Sequence, residues 1–114
     1  MGKTVSTNEG ARSIAVAFWF QGDVYRQQAE DEATAPGKRV GLYNMAGNAY
    51  REACEWFEAA RGMTIGHNKS ARYEEQADTM RNKSMTAYDC GKALTLANGH
   101  ARPESCAEHS HDNV

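Results

Sequence analysis

Branched aliphatic residues are scarce: the 114-residue chain has three leucines, two isoleucines and five valines. Strands draw heavily on Val and Ile, so a sheet-based core is not expected. Proline occurs only at Pro36 and Pro103, which leaves long stretches with nothing to break a helix. There is no run of about 18 apolar residues and no basic start leading into an apolar stretch, which argues against a membrane-spanning helix and a signal peptide. The net charge of −2, with both signs interspersed, provides no basic field to gather nucleic acid or anionic membrane. Cysteine is limited to Cys54, Cys90 and Cys106, an odd count at wide spacing that suits reduced thiols in the cytoplasm. On that reading the NKS sequons at Asn68 and Asn82 are chance matches.

Catalytic and cofactor signatures are equally sparse. GKT at Gly2 to Thr4 lacks the upstream glycine and the preceding strand of a phosphate-binding loop. Glu52, Glu55 and Glu58 lie along one solvated flank without the Glu-x-x-His pair of a di-iron bundle. Cys54 and Cys90 fall on or beside apolar stripes, where cysteine behaves as a small hydrophobe, and His67 reads as a loop or cap residue. No nucleophile and base can be paired from sequence order, so no enzyme, cofactor or metal is expected. Two weak patterns remain. MGKTVS matches a myristoylation signal at Gly2 with Ser6, and Cys106, His109, His111 and Asp112 gather metal-ligating side chains in a tail whose composition is solubilising.

What is present is helical: Ala, Met, Glu, Gln, Arg and Lys in quantity, with apolar residues three or four apart. Ser6 and Glu9 have capping-box spacing for a first helix that begins there. Alternatively it begins near Arg12, because Gly10 is a poor early helix residue, giving about 11–33; either way TAPGK ends it. A second helix of about 38–61 stops at Gly62 and Gly66, and a third of about 68–97 stops at Asn98 and Gly99. Residues 1–99 then form one helical domain, with 100–114 as a flexible polar tail. Short connections imply an antiparallel three-helix bundle.

Each helix has a core stripe with a small residue in its middle. The first runs Ile14, Phe18, Gly22, Tyr25, Ala29 and Ala33; the second runs Val40, Tyr43, Gly47, Tyr50, Cys54 and Phe57. The third runs Tyr73, Ala77, Met80, Ser84, Ala87, Gly91 and Leu94. A helical glycine costs roughly 1 kcal/mol relative to alanine, so Gly22, Gly47 and Gly91 on these stripes point to close helix approach. Gly41 lies off its stripe. GNAY, Gly47 to Tyr50, resembles the first helix of a tetratricopeptide repeat over fewer than ten residues. That family has a period near 34, whereas YREACEWFEAAR runs on unbroken, so membership is not assigned.

The first helix also has Val16, Phe20 and Val24 on another side, with Trp19 between the faces, making it apolar nearly all round. Such a helix is central or covered by a partner. The second helix has a milder second face of Leu42, Ala46, Ala49, Ala53, Trp56 and Ala60. These patterns lead to a non-enzymatic protein-interaction module, an oligomeric adaptor or inhibitor, assembled as a homodimer or on another protein through Trp19, Phe20, Val24 and Trp56. A small regulator of this kind suits a phage or mobile-element protein that blocks a host complex. The competing expectation is a small-ligand or nucleotide binder with a pocket lined by Tyr25, Arg26, Tyr50, Arg51 and Arg81, since guanidinium groups suit carboxylates and phosphates.

Overall fold

A computed structural model describes residues 7–64 and 66–96. They form three helices and no strand: α1 (Asn8–Glu30), α2 (Pro36–Gly62) and α3 (His67–Leu96). Gly2, Ser6, the Asn98–Gly99 stop, Cys106, His109, His111, Asp112 and the expected tail lie outside the described residues.

α1 begins at Asn8 with Thr7 as its cap, one residue after the Ser6 cap and ahead of the start expected at about residue 11. Thr7 is extended (φ −133°, ψ 152°), and its hydroxyl accepts the Gly10 N–H at 2.9 Å. This satisfies a first-turn donor as a threonine cap does. α1 ends at Glu30, three residues before the expected limit, because side chains capture the backbone that a further turn would use. The Asp31 carboxylate accepts the Ala33 N–H at 2.9 Å, and the Thr34 hydroxyl donates to the Gln28 carbonyl at 2.6 Å. Arg39 donates to the carbonyls of Asp31 and Thr34 at 3.0 and 3.3 Å. Ala33, expected on the first core stripe, is therefore exposed in the connection. Pro36 then opens α2, where its fixed φ and missing N–H cost nothing.

Consecutive helices run antiparallel. Asn8 at the start of α1 donates to Thr64 just beyond α2 at 3.0 Å, and the Thr64 hydroxyl donates to the Ala60 carbonyl at 2.7 Å. Arg61 late in α2 meets Glu74 early in α3 at 3.9 Å. α2 packs along both neighbours, whereas α1 and α3 touch each other sparingly.

The central helix is thus α2, so of the two expectations for the apolar first helix, central in the bundle or covered by a partner, the first does not hold. Both faces of α2 are used: Tyr43, Gly47, Tyr50, Cys54 and Phe57 are buried, and so are Ala46, Ala49, Ala53 and Ala60. The alanine face decides the position, because small side chains let a second helix come close without leaving a void. α1 buries only Ala11, Ala15, Gly22 and Ala29. The whole expected stripe of α3, Tyr73 through Leu94, is buried. No helix among the described residues is long and apolar enough to cross a membrane.

Candidate functional site: a locked inner face and an open outer face on α1

The core glycines are contact points for tyrosine rings. A Cβ on Gly22 would lie 2.7 and 2.8 Å from Cε1 and Cδ1 of Tyr50, closer than such atoms come. A Cβ on Gly47 would meet the Tyr88 ring at 2.7 to 2.8 Å. Each tyrosine then bonds the residue following its glycine. Tyr50 donates to Asp23 Oδ1 at 2.5 Å, and Tyr88 donates to Asn48 Oδ1. One arrangement, a ring over glycine with its hydroxyl on the next side chain, therefore joins α1 to α2 and α2 to α3. At Gly91 a Cβ would lie 3.0 Å from Asn44 Oδ1, 3.5 Å from Tyr43 Cβ and 3.6 Å from the Val40 carbonyl, so α2 and α3 approach closely there too. Gly41 has nothing within 4 Å.

Tyr50 is also the hub of a charged network spanning all three helices. It is fully buried and accepts from Arg26 Nε at 3.1 Å. Arg26 lies 3.6 Å from both Asp23 and Glu30. The Lys83 ammonium of α3 sits 5.7 Å from the Tyr50 ring centroid, a cation over an aromatic face. Burial, followed by the hydrogen bond to Asp23, pushes the Tyr50 phenol far above its ordinary value, against the opposing effect of Arg26. Burial lowers the Lys83 pKa, while Asp23 and Glu30 partly restore it. Two carboxylates and two cations balance in this cluster, which leaves no net charge to attract an ionic ligand.

The five residues expected to line a ligand pocket are not brought together. Arg26 and Tyr50 meet, as described. Tyr25 accepts from Gln21 at 3.3 Å and borders a shallow depression of about 220 Å³ between α1 and α2, with Phe18, Met45 and Ala49. Arg51 is exposed on α2. Arg81 lies between α2 and α3, paired with Asp78 and, at 2.6 Å, with Glu58. It borders a polar groove of about 240 Å³ with Arg61 and Glu74. Among the described residues, no group of three His, Cys, Asp or Glu side chains could hold a metal ion. Cys54 and Cys90 are buried free thiols, and burial and Glu58 raise the Cys54 pKa.

The expected partner-binding residues divide by depth. Trp19 turns inward and meets Phe57 edge-on, with ring centroids 6.3 Å apart and an interplanar angle of 74°. Trp56 is half-buried against the same core. Phe20 is 68% exposed and Val24 50%. One turn apart on the outer side of α1, they adjoin an apolar cleft of about 200 Å³ lined by Val16, Trp19, Phe20 and Asp23.

The roles of Lys83, Glu30 and Tyr88 escaped the sequence reading. The signal for Tyr88 was present in part: a polar residue follows the small residue at Asp23 and Asn48. A search for tyrosines able to reach it would have pointed to the pairings. Comparisons with family models, curated proteins and solved structures give no match to this chain.

Proposed function

We propose that this protein works by binding protein and not by catalysis, as a small cytoplasmic adaptor or inhibitor that engages its partner through the outer face of α1. The observation carrying this reading is the exposure of Phe20 and Val24, one turn apart beside the Val16–Trp19–Asp23 cleft. Transferring these side chains from water onto a partner contributes roughly 1 to 2 kcal/mol each at such exposures. Trp19, held on Phe57, gives the cleft a fixed wall, and rigid aromatic anchors are what interface centres favour. Trp56 is half-buried against the same core as Trp19.

The small-ligand reading loses its main support in the geometry, since the Arg26 guanidinium is engaged by Tyr50, Asp23 and Glu30. The test is photo-crosslinking in the native host, with a benzophenone amino acid replacing Phe20 or, as a control, exposed Glu75 of α3. Protein adducts concentrated at position 20 are the expected result. Equal yields at both positions, or none at position 20, would refute the reading.

A further inference from the structure

The cleft beside Phe20 combines an apolar wall with a carboxylate that is only half engaged. Val16, Trp19, Phe20 and Asp23 are spaced three and four apart, so they share one face of α1. Three of them offer apolar or aromatic surface, and the fourth brings the charge. Both close contacts of Asp23 fall on one oxygen: Tyr50 donates to Oδ1 at 2.5 Å, and Arg26 comes nearest to the same atom at 3.6 Å. Among the described residues no donor is bonded to Oδ2, and water reaches the side chain, which is 28% exposed.

A partner that covers the apolar wall also strips water from this carboxylate. Unless the partner brings a donor, the penalty is comparable to the gain from burying one apolar side chain. A cationic donor is disfavoured, because Arg26 and Lys83 already balance Asp23 and Glu30, and an added positive charge would meet two others. The neutral cluster calls for a neutral donor. We infer that the cleft seats a tryptophan side chain of the partner protein, its ring against Val16, Trp19 and Phe20 and its indole N–H donated to Asp23 Oδ2. This rests on the protein-binding reading above and names the group that is recognised. Indole has a donor and no acceptor, so it satisfies the open oxygen and leaves nothing of its own unpaired. A tyrosine hydroxyl would bring an acceptor too, and Arg26 is already committed to Tyr50 and the two carboxylates. Aromatic pairs gain further from edge-to-face or offset contact. Trp19 is held on Phe57, so the wall is in place before the partner arrives. The depression between α1 and α2 lacks this combination: its Gln21 is bonded to Tyr25 and its Asn48 to Tyr88.

The experiment is a nuclear magnetic resonance titration of the full chain with N-acetyltryptophanamide, its 1-methylindole analogue and N-acetylphenylalaninamide. Probes this small should bind in roughly the millimolar range. Saturable shifts with N-acetyltryptophanamide should centre on Val16, Phe20 and Asp23. Methylating the indole nitrogen, or replacing the ring by phenyl, should weaken binding roughly 10-fold, as for one lost hydrogen bond to a charged group. The comparison alters the probe and not the protein, so the Tyr50 network stays intact. Phe20→Ala, at an exposed position, should weaken N-acetyltryptophanamide roughly fivefold through lost apolar contact. Equal binding of the three compounds, or shifts spread evenly over the cleft and the depression at Phe18 and Tyr25, overturns the tryptophan assignment. Crosslinked protein at position 20 would then leave protein binding standing without it. Discrimination among the three probes with no protein adducts at position 20 refutes the protein-binding reading, and with it a partner's tryptophan, in favour of a free indole compound.

Discussion

Replacing Gly22 with alanine sets two opposing effects against each other at one atom. Alanine is favoured over glycine inside a helix by roughly 1 kcal/mol, so the substitution would stabilise the chain if the space were free. The new Cβ, however, would sit 2.7 Å from the Tyr50 ring. Tyr50 is fully buried and its hydroxyl is tied to Asp23 and Arg26, so the ring cannot swing aside without breaking those bonds. Overpacking a tight core costs about 1 to 3 kcal/mol, and loosening a hydrogen bond to a charged group adds about 1 kcal/mol after allowance for partial exposure. The net expectation for Gly22→Ala is a loss of about 1 to 3 kcal/mol. Gly41, exposed in α2 with nothing within 4 Å, supplies the control: Gly41→Ala should gain about 0.5 to 1 kcal/mol. For a chain of this size the two variants should melt roughly 6 to 15 °C apart, on opposite sides of the parent. Urea unfolding followed by circular dichroism measures both. If Gly22→Ala proves as stable as Gly41→Ala, the tyrosine contact does not constrain the crossing.

Gly47→Ala should be milder, near neutral, because the Tyr88 ring it displaces is only half-buried and can move towards solvent; urea midpoints against Gly22→Ala test this ordering. Ser84→Ala removes the buried hydroxyl that donates to the Gly47 carbonyl at 2.9 Å and should cost about 1 kcal/mol in the same assay. Cys54 and Cys90, buried as free thiols, should resist alkylation in the native state and react on unfolding, as mass spectrometry after iodoacetamide treatment would show.

The sequence made the buried stripes of α2 and α3 legible because their periodicity records burial directly: every expected core position of α3 is buried. It left the middle of the bundle open, because the bulk of the apolar residues on a helix does not say which helix lies between the others. Phe18, Trp19 and Phe20 outweigh Ala46, Ala49 and Ala53 in hydrophobicity, yet the alanines are what permit α2 to lie between two neighbours. The end of α1 was set by Asp31, Thr34 and Arg39 acting on backbone groups, a competition that apolar periodicity does not register. The arginine register was real in sequence, but partner geometry dispersed it: Arg26 joined Tyr50, Arg81 joined Glu58, and Arg51 stayed exposed. Gly22 and Gly47 proved to be equivalent contacts, the tyrosine over each coming from the following helix: Tyr50 from the expected stripe of α2, Tyr88 from outside that of α3.

The Tyr50 contact also explains why Phe20 is outside. Residues in a helix advance about 100° each, so Gly22 and Phe20 point to nearly opposite sides of α1. Seating the ring on Gly22 and bonding its hydroxyl to Asp23 and Arg26 fixes the rotation of α1 about its own axis, and Phe20 is carried to the surface as a consequence. Rolling the helix to bury Phe20 would pull Gly22 from Tyr50 and leave the buried phenol unpaired, a cost of about 1 to 3 kcal/mol that offsets much of the gain. The same bond should be visible in the pH dependence of stability. The Tyr50 pKa is raised above the ordinary phenol value of about 10, so the folded state holds its phenolic proton where the unfolded chain releases it. Stability from this source is complete below pH 10 and falls as pH rises beyond it. Lys83, with its pKa lowered from 10.5, works in the opposite sense, but it is half-buried where Tyr50 is wholly buried, so the tyrosine dominates. Urea midpoints measured between pH 8 and 11 should decline above about pH 10 in the parent, and the decline should be much reduced in Tyr50→Phe. An equal decline in both proteins would show that the phenol is not held in the way that fixes the rotation of α1 and exposes Phe20.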